Sequence, residues 1–186
     1  MVTIVNQILA TLTIFSHIFL ILGIGYFLLF RKDKTNSVIQ FFSRNGIALA
    51  FFVSLFATAI SLFYSDVAGF EPCKLCWFQR IFMYPQMFIL GLAWFRKDHK
   101  IIDYALTLAV VGGLFALYHN YIYYGGTSLF PCDAFGLGVS CTKRYVFEFG
   151  YITIPLMSLT SFLLLSVFLW LQKFIIKNSL KKEEKI

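Results

Sequence analysis

Met1 to Phe30 contain no Asp, Glu, Lys or Arg, and Ile8 to Phe30 are a largely apolar run of 23 residues. As a helix rising about 1.5 Å per residue, that run is long enough to cross a hydrocarbon core of about 30 Å. A cleaved signal sequence carries its positive charges ahead of a short apolar core. Here Arg31, Lys32 and Lys34 follow a long one, so the segment reads as a retained transmembrane helix.

Four further stretches have the same character: Gly46 to Tyr64, Trp77 to Phe95, Tyr104 to Tyr124 and Gly150 to Leu171. Only 13% of the 186 residues are charged and 59% are hydrophobic. Soluble domains carry about 25% charge, so too little remains here to coat a water-soluble surface. The fold class expected is an all-α integral membrane protein with five spans. Its expected divisions are a first unit at 1–44, holding the helix at about 8–30 and a loop, a four-helix core at 45–172 and a basic tail at 173–186. Loops this short leave no room for a soluble domain, so the chemistry must sit at helix ends.

Lys and Arg sort unevenly between the two sides. The loop after the first span, the loop after the third and the tail hold 12 of the 16, whereas the other side holds only Lys74, Arg80, Lys143 and Arg144. The basic side is expected to be cytoplasmic, which puts the amino terminus outside and the tail inside a prokaryotic plasma membrane. This topology accounts for the net charge of +7 without a nucleic-acid partner, because the basic residues flank helices and form no stripe.

All four cysteines then fall on the outer side, where disulfides persist. Cys73 and Cys76 form a CxxC preceded by Pro72. Proline favours the first helical position, so both cysteines are expected in the opening turn of the third helix. There the helix dipole and free N–H groups stabilise a thiolate. Arg80, four residues after Cys76, shares their helical face. It violates both the positive-inside distribution and the dipole preference, so it reads either as a headgroup anchor or as a cation serving the thiolate and a bound, reduced quinone.

Cys132 and Cys141 enclose eight residues that include Gly136 and Gly138. The pair can close a loop as a staple or present a redox-active disulfide to a protein substrate. A zinc site made of the four sulfurs lacks knuckle spacing on the second pair, so no metal is expected. Without a GxGxxG motif or a domain to hold one, no flavin or nicotinamide is expected either. His119 lies about one and a half turns inside the outer boundary. It reads as a quinone hydrogen-bond partner or as a member of the aromatic belt with Tyr118, Tyr121, Tyr123 and Tyr124. Lys143 and Arg144 are expected to anchor an interfacial segment, and His17 to be buried against the bundle.

The run Cys73-Lys-Leu-Cys76-Trp-Phe-Gln-Arg80, the later cysteine pair and Gly150-Tyr-Ile-Thr-Ile-Pro155 entering the last span together resemble the DsbB/BdbC family of membrane disulfide-bond formation proteins. The resemblance covers about Asn45 to Leu171. It implies a four-helix bundle, to which the first helix is an addition. It implies that Cys132 is attacked by the thiolate of a DsbA/BdbD-like thioredoxin-fold thiol oxidase and that Cys141 then exchanges with Cys73. It also implies that Cys76, assisted by Arg80, passes electrons to a membrane quinone, either menaquinone or ubiquinone. The alternatives are a vitamin-K-epoxide-reductase-like quinone oxidoreductase, in which the loop pair precedes CxxC, and a membrane scaffold with two structural disulfides.

Overall fold

The computed structural model describes residues 1–30, 37–127 and 140–183, and it is helical almost throughout. The helices are α1 (Val2–Phe30), α2 (Ser37–Leu62), α3 (Lys74–Arg96), α4 (Ile102–Tyr123) and α5 (Ile154–Glu183). A π-helical turn, Phe63–Val67, extends α2. The shortest helix, α4, has 22 residues and is therefore about 33 Å long, enough for a hydrocarbon core. α1, α2, α4 and α5 are also apolar enough to cross. α3 has the length but carries Gln79, Arg80, Pro85 and Gln86. Five crossings of a multi-pass protein account for these lengths.

Several helix starts differ from expectation: α1 begins at Val2 and α2 at Ser37, ahead of the expected Ile8 and Gly46, and the starts of α3 and α5 also move. Pro72 is not the first residue of α3: Cys73 is the N-cap, with extended backbone (φ −73°, ψ 172°), and the helix begins at Lys74. The Cys73 carbonyl accepts the first helical bond, from Trp77 N–H at 3.1 Å, so Pro72 stiffens the approach to the helix instead of opening it. The last helix begins at Ile154, not Gly150. Glu148 and Ile152 exchange two backbone hydrogen bonds of 2.9 Å, closing a turn in which Phe149 and Gly150 have φ of 50° and 79°. Glycine meets that requirement without strain. Thr153 then caps α5, its hydroxyl accepting from Leu156 N–H at 3.2 Å.

In the bundle, α2 packs on α3 and α5, and α4 packs on the same two helices. Small residues permit the close approach. A Cβ on Gly112 of α4 would lie 2.4 Å from the Phe162 ring of α5, and one on Gly46 of α2 would lie 2.7 Å from the Phe168 carbonyl oxygen. Ala105, Ala109 and Ala116 continue the small-residue face of α4 and are fully buried. Lipid tails are as apolar as the helices, so such packing, and not hydrophobic exclusion, is what distinguishes the bundled state. Phe88, Leu114 and Leu117 face outward, as the solvent requires.

α1 stands outside this ring and docks against α5. Its buried positions Asn6, Leu9, Ala10, Thr13 and Leu20 recur at helical spacing, with His17 half-buried on the same side. Tyr64 O–H donates to Asn6 Oδ1 at 2.9 Å. Thr160 donates its hydroxyl proton to Leu156 O, so at the 2.8 Å contact between His17 Nε2 and Thr160 Oγ1 the imidazole is the donor. His17 is therefore a docking residue, in line with its expected burial. Phe27 packs edge-on against Trp170 and Phe174 farther down.

Candidate functional site

The site is assembled at one end of the bundle by two connections folded onto each other. After the π-helical turn, Phe70 N–H bonds to Tyr64 O at 2.8 Å. The Phe70 ring stacks on Tyr64 at 5.5 Å and on Tyr145 at 4.5 Å. Tyr145 O–H donates to Glu71 O at 3.4 Å. This aromatic stack fixes the segment that begins at Ser140 against the start of α3, and so brings Cys141 to Cys73 across 68 residues of sequence.

Cys73 and Cys76 are free thiols with sulfurs 3.1 Å apart. Cys141 is disulfide-bonded. Cys132, expected to pair with it, lies outside the described residues. Cys73, Cys141 and His119 are all nearly inaccessible, at 4%, 3% and 3% exposure.

His119 links the two cysteine segments. Its Nε2 lies 3.7 Å from Cys73 Sγ and 3.1 Å from the Cys141 carbonyl oxygen. On the other side of the ring, Nδ1 accepts from the Gln79 amide at 2.9 Å. The proton of the neutral ring therefore sits on Nε2, aimed at the sulfur and the carbonyl. Of the two readings of His119, the aromatic belt is not what holds it; its partners are the site's own.

These contacts decide where charge rests in the reduced pair. The hydrogen bond from Cys76 is the largest influence on Cys73 and, with the smaller contributions of His119, lowers that thiol to about 4 against the opposing effect of burial. The free dithiol thus holds its negative charge on Cys73, at the N-cap of α3.

Arg80 is tied across to α2. Its Nε donates to Ser61 Oγ and its Nη2 to Ser61 O, both at 3.0 Å, while Tyr84 O–H donates to the same hydroxyl at 3.1 Å. The guanidinium also lies 5.2 Å from the Trp77 ring centre. Held this way, it lines the same cavity as both free thiols and His119. Lys143 and Arg144 sit over aromatic rings, Lys143 on Tyr145 at 4.7 Å and Arg144 on Phe147 at 5.3 Å.

The cavity measures about 1030 Å³ and runs from these groups down the sides of α2, α5 and α1. That is the upper end of the range for pockets that enclose an organic molecule. The two thiols and His119 also place three donor atoms within 4.8 Å of one another, a set able to take a thiophilic cation. Sequence reasoning weighed zinc only with the loop sulfurs and gave His119 no part in it. It also missed Gln79 and Ser61. Neither carries a pattern of its own, although Gln79 is a polar residue within the apolar run that follows CxxC.

A multi-pass helical bundle with a free CxxC dithiol beside a buried imidazole and a second, oxidised cysteine segment has the parts of a membrane disulfide oxidoreductase. The chain belongs to the DsbB family: the family described as "Disulfide bond formation protein DsbB" matches residues 43–172. It is 40% identical over 124 residues to "Disulfide bond formation protein C" of Bacillus subtilis (strain 168), covering 65% of this chain and 87% of that one. It is 42% identical over 115 residues to "Probable disulfide formation protein C 1" of Bacillus anthracis, covering 61% and 81%. "Probable disulfide formation protein" of Metapseudomonas resinovorans is 37% identical over 127 residues, covering 67% and 87%. No solved structure matches the chain. α1 lies outside the family's matched stretch.

Proposed function

We propose that this membrane disulfide oxidoreductase reoxidises an extracytoplasmic thioredoxin-fold thiol oxidase and passes the electrons to a membrane quinone. The observation that carries this reading is the bridge through His119, which holds the Cys141 backbone and the Cys73 sulfur on one ring nitrogen at 3.1 and 3.7 Å. Two cysteine segments so placed can exchange.

The thiolate of the partner attacks Cys132 in its disulfide with Cys141, forming a mixed disulfide and releasing Cys141 as thiolate. The partner's second thiolate resolves the mixed disulfide, leaving the partner oxidised and the loop pair as a dithiol. Exchange between that dithiol and an oxidised Cys73–Cys76 pair returns the loop to its disulfide and leaves Cys73 and Cys76 reduced. Two electrons and two protons have then moved from the partner to the CxxC pair.

The residues at the head of the cavity fit a quinone. They offer a planar acceptor an apolar enclosure, the Arg80 guanidinium and the dithiol within one wall. When bound, a quinone supplies a two-electron, two-proton acceptor soluble in lipid. Cys73 carries the charge of the free pair. Once Cys73 is engaged in exchange with Cys141, only Cys76 can carry it, and Arg80 is the cation that lines the same cavity. The excess of Lys and Arg in the basic loops and tail supports an orientation with the cysteine end outside and the tail in the cytoplasm.

The test combines purified protein, reduced partner and quinone, following quinone absorbance and partner thiols in one sample. Equal loss of quinone and of thiol pairs is expected. If neither changes, the reading is wrong.

A further inference from the structure

The cavity that starts at the cysteine pair does not stop at the depth of Arg80. On α2 its wall continues from Ser61 to Phe41, about 30 Å at 1.5 Å per residue. α2 and α5 approach closely at Gly46, where Ile47 N–H donates to Gln172 Oε1 at 2.8 Å. Toward the cysteine end both helices border open space, through Phe56 and Ile60 on one and Met157 and Leu164 on the other. α1 stands across that space. Leu9, Leu12, Phe15, Ser16 and Phe19 line it over about 15 Å.

The two ends of this cavity differ in chemistry. The head has Arg80, His119 and the thiols. Along α1 the polar lining residues are Thr13 and Ser16, and both use their hydroxyls on their own helix, Thr13 donating to Leu9 O at 2.8 Å and Ser16 to Leu12 O at 2.9 Å. Thr160 and Ser161 of α5, which also line the cavity, likewise donate to their own helix, to Leu156 O and Met157 O, so a ligand in this part meets a largely apolar wall. The His17–Thr160 and Tyr64–Asn6 hydrogen bonds hold α1 in place as its wall.

We propose that α1 is a tail-recognition element. Its Leu12–Phe19 face completes a groove for the long hydrocarbon tail of a quinone whose head lies against Cys73, Cys76 and Arg80. The protein thereby selects long-tailed acceptors over tail-less ones through a helix outside the family's matched region. This rests on the quinone reading above. The groove is continuous with the redox site, which is why the occupant is a tail carrying a redox head and not a free lipid.

The experiment uses the full-length protein in nanodiscs and measures equilibrium binding of a long-chain isoprenoid quinone and of its tail-less analogue. Ser16→Phe fills the groove, Phe15→Ala removes a wall contact, and Leu22→Phe, on a face that does not line the cavity, is the control. Ser16→Phe should weaken the long-chain quinone at least tenfold and leave the tail-less one within twofold. Phe15→Ala should shift the long-chain value in the same direction, and Leu22→Phe should shift neither. Retained tail-less binding certifies that a variant is folded. Equal losses for both quinones, or no loss for either, overturn the proposal. So does loss of co-purified phospholipid from Ser16→Phe at unchanged quinone affinity, which makes the groove a lipid site. If the unaltered protein binds the tail-less and long-chain quinones alike, tail recognition fails while the function stands. If it binds neither, the quinone reading itself fails and the tail proposal goes with it.

Discussion

Gln79 donates to Nδ1 of His119 at 2.9 Å, and this bond selects the tautomer that faces Cys73. A buried imidazole with Nδ1 free could rotate or protonate on the wrong nitrogen. The amide therefore works on the thiol through the ring.

Gln79→Leu removes that donor while keeping bulk. Leaving buried Nδ1 unpaired should cost about 1–3 kcal/mol of stability. It should also raise the pH midpoint for alkylation of Cys73 in the reduced protein. His119→Ala should raise the midpoint as well. A Gln79→Leu protein whose alkylation profile matches the unaltered one would show that Gln79 only packs.

The depressed thiol gives a pH dependence of defined sign. Cys73 is lowered from 9.0 to about 4 in the folded, reduced protein. The folded state thus binds fewer protons than the unfolded one between those values. This contribution to stability is whole above about pH 9, declines as pH is lowered, and is gone below about 4. Thermal unfolding of reduced protein should show the decline relative to a Cys73→Ser variant. Alkylation of Cys73 should be near its plateau at neutral pH and fall only through about pH 4.

Arg80→Met should raise the KM for quinone by about ten- to a hundredfold, the equivalent of losing one hydrogen bond to a charged group at about 1.5–3 kcal/mol. Mixed-disulfide formation with the partner should stay within a few-fold. Arg80→Lys keeps the charge but not the two-point grip on Ser61, so it should recover only part of the loss. Unchanged quinone kinetics in Arg80→Met would reduce the residue to a tether between α2 and α3.

Cys141→Ala should trap the partner. With Cys141 gone, Cys132 is a single free thiol able to form a stable mixed disulfide with an oxidised thioredoxin-fold protein. Non-reducing electrophoresis should show the adduct, and Cys132→Ala should not form it. A well-expressed Cys141→Ala protein without the adduct would argue for a structural loop.

Gly112→Val tests the packing. A Cβ there meets the Phe162 ring at 2.4 Å and Phe82 Cβ at 2.9 Å. Overpacking of this kind costs about 1–3 kcal/mol. The unfolding midpoint in detergent should drop, whereas Gly113→Ala, whose nearest neighbour is 3.5 Å away, should leave it almost unchanged.

Much of this was legible beforehand because a bilayer imposes simple rules. Each helix had to be about 20 apolar residues long, so α1, α2 and α4 could be located from charge-free runs alone. The start of α5 could not, since Gly150 to Thr153 are as apolar as a span and only the positive φ of Gly150 and the Thr153 cap take them out of the helix. Pro72 misled by two positions for a similar reason: proline fits both the first turn and the residue before the cap. Arg80 stood out as a misplaced cation, but its tie to Ser61 joins two helices and leaves no mark in either.

The sequence by itself determined the membrane class, the spans, and the CxxC and Arg80 at one helix end, because length, charge and local spacing are one-dimensional properties. Only the tertiary structure decided which sulfur holds the charge, which nitrogen of His119 holds the proton, and where α1 docks. Each of these depends on groups far apart in sequence. His119 meets Gln79 across 40 residues and His17 meets Thr160 across 143, and hydrogen bonds of about 3 Å are made or lost by the packing of helices that no local pattern encodes.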